Sequence, residues 1–182
     1  MRQEVTESLG GRSPDELYEE ATASYGAPLE RLARAYEADP ETRRDLLQEI
    51  HLALWRSFAR FDHRCSLRTW VYQVAHNTAA SHIVRRRRIR ERLVNLEEIE
   101  AMPVHEENRL AADRRTAHED LLRLIQRLKP VDRQVILSYL EGMDAASIGE
   151  ITGLTAANVA AKIHRIKQIL ARRSRRGGSH GE

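Results

Sequence analysis

Apolar residues recur along most of this chain at steps of three and four, and no segment alternates apolar with polar, so the pattern predicts an all-α fold. Ser13, Pro14, Asp15 and Glu16 form a capping box with proline at the first helical position, which should start a helix running through Leu17 and Ala21. Gly26 and Pro28 are expected to interrupt it. A second stretch carries Leu29, Leu32, Ala33 and Tyr36 on one face, and Asp39-Pro40 punctuates before a third. There Leu47, Ile50, Leu54, Phe58 and Phe61 form the buried stripe, while Asp45, Gln48 and Glu49 share a polar face. Phe61 to Ser66 reads as a short loop, and Ser66 can cap a helix whose inward stripe is Leu67, Trp70, Val71, Val74 and Thr78.

The second half repeats the logic on a smaller scale. Leu121, Leu124, Ile125 and Leu128 give one helical face; Pro130 starts another helix with Val135, Ile136 and Tyr139, closed by Gly142. From Asp144 to Ile166 the chain reads as a helix-turn-helix: Ala145, Ile148 and Ile151 line the first helix, Gly153 is its left-handed stop, and Thr155 caps the second. Val159, Ile163, Ile166 and Leu170 form the inward stripe of that second helix, predicted to reach about Arg172, and its other face is left for DNA. Gly149 costs about 1 kcal/mol inside a helix, which makes sense if the second helix must cross closely over it. An ordinary helical hairpin with a glycine turn would show the same residues.

Between the halves, residues 95–107 lack a helical stripe, contain Pro103 and are acidic. The expected organisation is therefore two small helical bundles, at 13–88 and 113–173, joined by a flexible acidic linker at 89–112, with an extension at 1–12 and a basic tail at 174–182. The net charge is only +3, but it is segregated. Arginine fills positions 85 to 88, 90 and 92; Val94 to Glu107 has five glutamates and no lysine or arginine, and Lys162 to Arg176 has seven basic residues and no acid. Two basic blocks, each ending a bundle, suggest two grips on a polyanion.

Other chemistry finds little support. A single cysteine, Cys65, permits no internal disulfide, the N-terminus has no apolar signal core, and no apolar run could span a bilayer, so a cytoplasmic protein without membrane insertion is expected. His63 and Cys65 are too few for a zinc site, phosphate-loop and dinucleotide fingerprints are missing, and no serine or histidine sits in a nucleophile–base arrangement. Neither an enzyme nor a bound metal or cofactor is expected.

Read together, Asp45 to Arg88 (DLLQEIHLALWRSFARFDHRCSLRTWVYQVAHNTAASHIVRRRR), the acidic linker and Leu128 to Ile166 (LKPVDRQVILSYLEGMDAASIGEITGLTAANVAAKIHRI) resemble an extracytoplasmic-function sigma factor, from about Leu17 to Leu170. The first block resembles region two of such factors and the second region four. The resemblance implies a subunit that joins bacterial core RNA polymerase, recognises promoter DNA, melts it and is restrained by an anti-sigma factor. It places Asp45, Gln48 and Glu49 on the polymerase clamp, although a merely solvated helix face would have that composition too.

The resemblance further places Phe61, the 62–66 loop with Arg64 and Ser66, Arg68, Trp70, Tyr72, Gln73, His76 and Asn77 at the melted minus-ten strand. Trp70 lies on the inward stripe, so Tyr72, Gln73, His76 and Asn77 are the better candidates for contact. Arg85 and Arg86, with Arg87 and Arg88, would grip backbone phosphate. In region four Thr155, Ala157, Asn158, Lys162 and Arg165 would face the minus-thirty-five element. Ala160, Ala161 and Ser81 depart from the residues usual in the family, which bears on promoter sequence rather than function. Two other readings remain open: a free-standing helix-turn-helix regulator, and a module that sequesters a partner through the acidic helix face.

Overall fold

Ser13 opens α1 (Pro14–Tyr36) as a reciprocal cap, its hydroxyl accepting from the Glu16 N–H at 3.2 Å while the Glu16 carboxylate accepts from the Ser13 N–H at 2.7 Å. The expected break at Gly26 and Pro28 does not occur; α1 runs continuously through both. A proline inside a helix costs about 3 kcal/mol, and a comparable gain per large side chain comes from burying Leu17 on one side of it and Leu29, Leu32 and Tyr36 on the other. Burial along the whole length therefore overrides the local preference.

Asp39 caps α2 (Pro40–Phe58), accepting from the Thr42 N–H at 2.8 Å. Its buried stripe is Leu46, Ile50, Leu54, Ser57 and Phe58. Leu46 rather than Leu47 holds the fully buried position; Leu47 packs on the flank, and Phe61 lies beyond the helix end, half-buried. Ser66 caps α3 (Leu67–Arg87), accepting from the Thr69 N–H at 3.0 Å, and α1, α2 and α3 pack on one another. The computed structural model describes residues 12–87 and 114–178, so the predicted linker at 89–112 lies outside the described residues.

The second half comprises α4 (Arg114–Arg127), α5 (Pro130–Leu140), α6 (Ala145–Thr152) and α7 (Ala156–Gly178), and no sheet forms among the described residues. Gly142 and Gly153 adopt φ of 75° and 74°, as stops after α5 and α6. At Gly149 a Cβ would lie 2.6 Å from the Leu154 carbonyl oxygen, so the close approach is made by the backbone of the turn and not, as the sequence suggested, by the second helix crossing over it. Val159, Ile166 and Ile169 are buried along α7 with Ile163 beside them; the side chain of Leu170 lies outside the described residues.

The two bundles are joined by packing as well as by sequence. α3 rests against α5 and α6, α1 against α4, and one hydrophobic core runs from Leu17 to Ile169. This explains α5, whose seven successive residues Asp132 to Ser138 are all buried. It lies between α3 on one side and α6 and α7 on the other, so only its ends, at Val131 and Leu140, meet water.

Candidate nucleic-acid and polymerase interfaces

The polar face of α2 presents Asp45 and Gln48 to solvent. Glu49 is already engaged: it pairs with Arg85, and His82 Nδ1 lies 3.4 Å from its carboxylate. Leu52 and Trp55, 47% and 49% exposed, continue the face set by Asp45 and Gln48 at helical spacing. Sequence reasoning missed both. The signal was available, because neither falls on the Leu46–Ile50–Leu54 stripe and an apolar residue off the stripe of an amphipathic helix is exposed by geometry. Trp55 Nε1 donates to the Asp15 carboxylate at 2.9 Å, which fixes the indole over the start of α1.

The loop between α2 and α3 is built around Phe61, whose ring lies 4.4 Å from that of His63 and 5.2 Å from that of Trp70. His63 has φ of 59°, a left-handed conformation that turns the chain without glycine. Trp70 is half-buried and anchored by its Nε1–H to Ser57 Oγ at 2.9 Å. Arg64 is exposed and pairs with Asp62 at 3.0 Å, Ser66 is occupied as the helix cap, and burial pushes the Cys65 thiol pKa up. Aromatic faces, a guanidinium and a hydroxyl thus ring a tight loop, which is chemistry suited to a base taken out of its stack.

Along α3 the candidates divide. Asn77 is exposed and Gln73 half-exposed, but Tyr72 and His76, expected to face outward, are buried at 1% and 0% exposure. Both lie on the side of α3 that receives the second half of the molecule, a contact that periodicity within α3 could not reveal. His76 Nδ1 is 3.0 Å from the Tyr36 hydroxyl and its Nε2 is 3.1 Å from Ser138 Oγ, and burial lowers its pKa to about 3. Burial, then the nearby Glu141 charge, pushes the Tyr72 hydroxyl pKa up. Arg68 donates to the backbone carbonyl of Glu141. Arg85 pairs with Glu49 and Arg86 with Glu37 at 2.5 Å, yet both arginines stay more than half exposed. Exposed pairs of this kind contribute little, so a phosphate could displace them.

On α7, Ala157, Asn158 and Arg165 are exposed, as are Ala156, Ala160, Ala161 and His164. Thr155 is exposed and accepts from the Asn158 N–H at 3.3 Å, so its hydroxyl serves the cap. Lys162 departs from the expected outer face: its Nζ is 2.5 Å from Asp132 of α5, whose carboxylate is buried. It sits three residues after buried Val159 and so on the margin of the inward stripe. His164 and Gln168, 2.8 Å apart, belong to the outer face and were not singled out in the sequence.

The assembled pieces are a stacked aromatic loop, arginines at the end of α3, and a helix-turn-helix with an exposed second helix. Residues 22–89 match the description of sigma-70 region 2 and residues 118–170 that of sigma-70 region 4. The chain is also 22% identical over 136 residues to the ECF RNA polymerase sigma factor SigX of Bacillus subtilis (strain 168), covering 72% of this chain and 70% of that protein. The chain belongs to the sigma-70 family, as an extracytoplasmic-function sigma factor. A sigma factor binds core RNA polymerase and promoter DNA and directs promoter recognition, melting and initiation as a non-enzymatic regulatory subunit. The fold of this sigma factor is similar to that of CnrH, solved in complex with the cytosolic domain of CnrY, with TM-score 0.59, 19% identity and coverage of 86% of each chain. It is likewise similar to RpoE from Bartonella quintana, solved in complex with the anti-sigma factor NepR, with TM-score 0.64, 16% identity and coverage of 88% of this chain and 98% of that one.

Proposed function

We propose that this sigma factor docks on core polymerase through the α2 face of Asp45, Gln48, Leu52 and Trp55, and that Glu49 acts from the rim of that face. An acid and an amide beside two exposed apolar side chains match the usual make-up of a protein interface, with an apolar centre and polar rim. Phe61, His63, Arg64, Gln73 and Asn77 hold the melted minus-ten strand, with Ser66 shaping the loop, and Arg85 and Arg86 hold backbone phosphate. Thr155, Ala157, Asn158 and Arg165 read the minus-thirty-five element. Lys162, tied to Asp132, contributes charge at the edge.

The domain division follows this assignment, with a region-two unit at 13–88 and a region-four unit at 113–173. The observation that carries it is the exposed α7 face bearing Asn158 and Arg165 on a helix-turn-helix whose opposite side buries Val159, Ile166 and Ile169. The protein works in the cytoplasm, performs no catalysis and is restrained by an anti-sigma factor. Support for these points comes from the family, from similarity to two sigma factors solved with regulatory partners, and from the described helices, none long and apolar enough to cross a membrane.

Asp45→Lys combined with Gln48→Ala should abolish retention on immobilised core polymerase while leaving the melting curve unchanged, because exposed polar groups add little to stability. Run-off transcription should be lost in parallel. Full retention of the folded double variant would remove the α2 face from the interface.

A further inference from the structure

The exposed face of α2 does not end at the edge of its own helix. At the start of α1, Pro14 fixes the backbone and the reciprocal cap of Ser13 and Glu16 closes the first turn around Asp15, so the Asp15 carboxylate stands on a rigid support. One turn on, the Tyr18 hydroxyl lies 3.1 Å from His51 Nδ1 with the two rings edge to face at 6.1 Å, and neighbouring Leu17 is buried. The beginning of α1 is thus pinned to the side of α2 that carries His51 and, four residues later, Trp55. From that support Asp15 accepts the Trp55 Nε1–H at 2.9 Å, across 40 residues of chain.

In the free chain this bond does little. Both side chains are exposed, water can meet the indole N–H equally well, and an exposed charged contact adds little to stability. Its weight changes when a partner covers the face. Docking strips water from around the indole, and an N–H left unmet in a dry interface carries the cost of its desolvation, whereas one already held by Asp15 does not. A ring fixed before contact also loses less side-chain freedom on binding than one that must first be ordered.

We infer that Asp15 is a positioning residue for polymerase docking: it holds the Trp55 ring in its bound orientation and keeps the indole N–H satisfied once water has left. The interface then reaches from α2 onto the first turn of α1. This role rests on the α2 docking assignment above and adds to it a residue from another helix. Loss of the bond weakens docking about tenfold, because leaving one buried polar group unmet is worth about one to two powers of ten in a binding constant.

Dissociation constants of the full chain for immobilised core polymerase separate positioning from charge. Asp15→Ala should bind about tenfold more weakly. Asp15→Asn keeps a carbonyl oxygen for the indole N–H and should bind within about twofold of the unaltered chain. Both substitutions remove the same first-turn charge, so any effect on the stability of α1 is common to them and melting temperatures should match. In a Trp55→Phe background, which keeps a ring and removes the N–H, Asp15→Ala should cause no further loss. Labelling with 5-fluorotryptophan gives one fluorine resonance for each of the two tryptophans, Trp55 and Trp70, and Asp15→Ala should shift the one that Trp55→Phe removes. An equal loss in Asp15→Asn would make Asp15 a direct charge contact to polymerase and overturn the positioning role. A loss that persists beside Trp55→Phe, or an unmoved Trp55 resonance, would overturn it as well. Trp55→Ala, measured alongside, tests the docking face by itself. Unchanged binding of Trp55→Ala would overturn that face, whereas weakened binding of Trp55→Ala with unchanged binding of Asp15→Ala would overturn the role of Asp15 alone.

Discussion

Holding an imidazole between two hydroxyls in a dry interior sets a definite pH dependence on the fold. His76 titrates near 6.5 in an unfolded chain, and burial lowers its folded pKa to about 3. The groups facing it are the Tyr36 and Ser138 hydroxyls and the Tyr72 ring, with the Arg133 guanidinium beyond Tyr36. Between those two pKa values the unfolded chain binds a proton that the folded chain refuses. Stability is therefore complete above about pH 6.5 and falls below it, by up to about 1.4 kcal/mol per pH unit. His51, also lowered by burial, adds in the same direction. Asp39 and Asp144, lowered chiefly by hydrogen bonds from Thr42 and Ser147, lose their contribution only below the ordinary carboxylate range and so do not confuse the window. His76→Gln keeps a hydrogen-bonding side chain without the proton uptake. Urea midpoints measured at pH 7.5, 6 and 5 should slope less in this variant; an identical slope would move the effect to another group.

At the scale of elements, two glycines inside helices make opposite forecasts. Gly149→Ala drives a Cβ to 2.6 Å from a backbone oxygen, an overpacking that costs about 1–3 kcal/mol against about 1 kcal/mol returned by helix propensity. The turn should open and promoter binding weaken. Gly26→Ala meets nothing within 4 Å in the middle of α1 and should stabilise by roughly 0.5–1 kcal/mol, read as a rise in melting temperature. On α7, Asn158→Ala should change the preference at one base of the minus-thirty-five element by about 1–3 kcal/mol. Lys162→Ala leaves the buried Asp132 carboxylate without its ion pair, so it should lower stability before it changes sequence preference. A binding profile that shifts for Lys162→Ala with no change in melting temperature would contradict this. The stripe of α7 was legible from sequence, but a lysine on its margin was not, because a helical period gives direction and says nothing of the partner lying across the groove.

For the whole molecule, the packed contact between the halves and the small size of each imply that the free chain melts no promoter. Permanganate should find reactive thymines near the start site only when core polymerase and this sigma factor are both present, because polymerase makes the second contact intramolecular. Arg85 and Arg86 add affinity without sequence choice. Replacing both with alanine should weaken all promoters alike and reduce the salt slope by about one to two units, and the loss should be smaller where Glu49 and Glu37 still compete for them. A promoter-dependent loss would make one of them a base contact.

Caps and the helix-turn-helix follow from the sequence alone, because they depend on groups within a few residues of one another: Ser13 with Glu16, Asp39 with Thr42, Ser66 with Thr69, Gly153 with its own φ. Family membership was legible for the same reason, since ordered motifs survive where overall identity is low. What lay beyond the sequence was everything set across the chain. α1 passes through Pro28 because distant helices bury both of its ends; Tyr72 and His76 are hidden because α5 covers them; Glu141, at the end of a helix like any other, becomes the partner of two arginines far away in the chain. A period of 3.6 residues assigns a side chain to a face of its own helix, and only packing decides whether that face meets water, another helix or DNA.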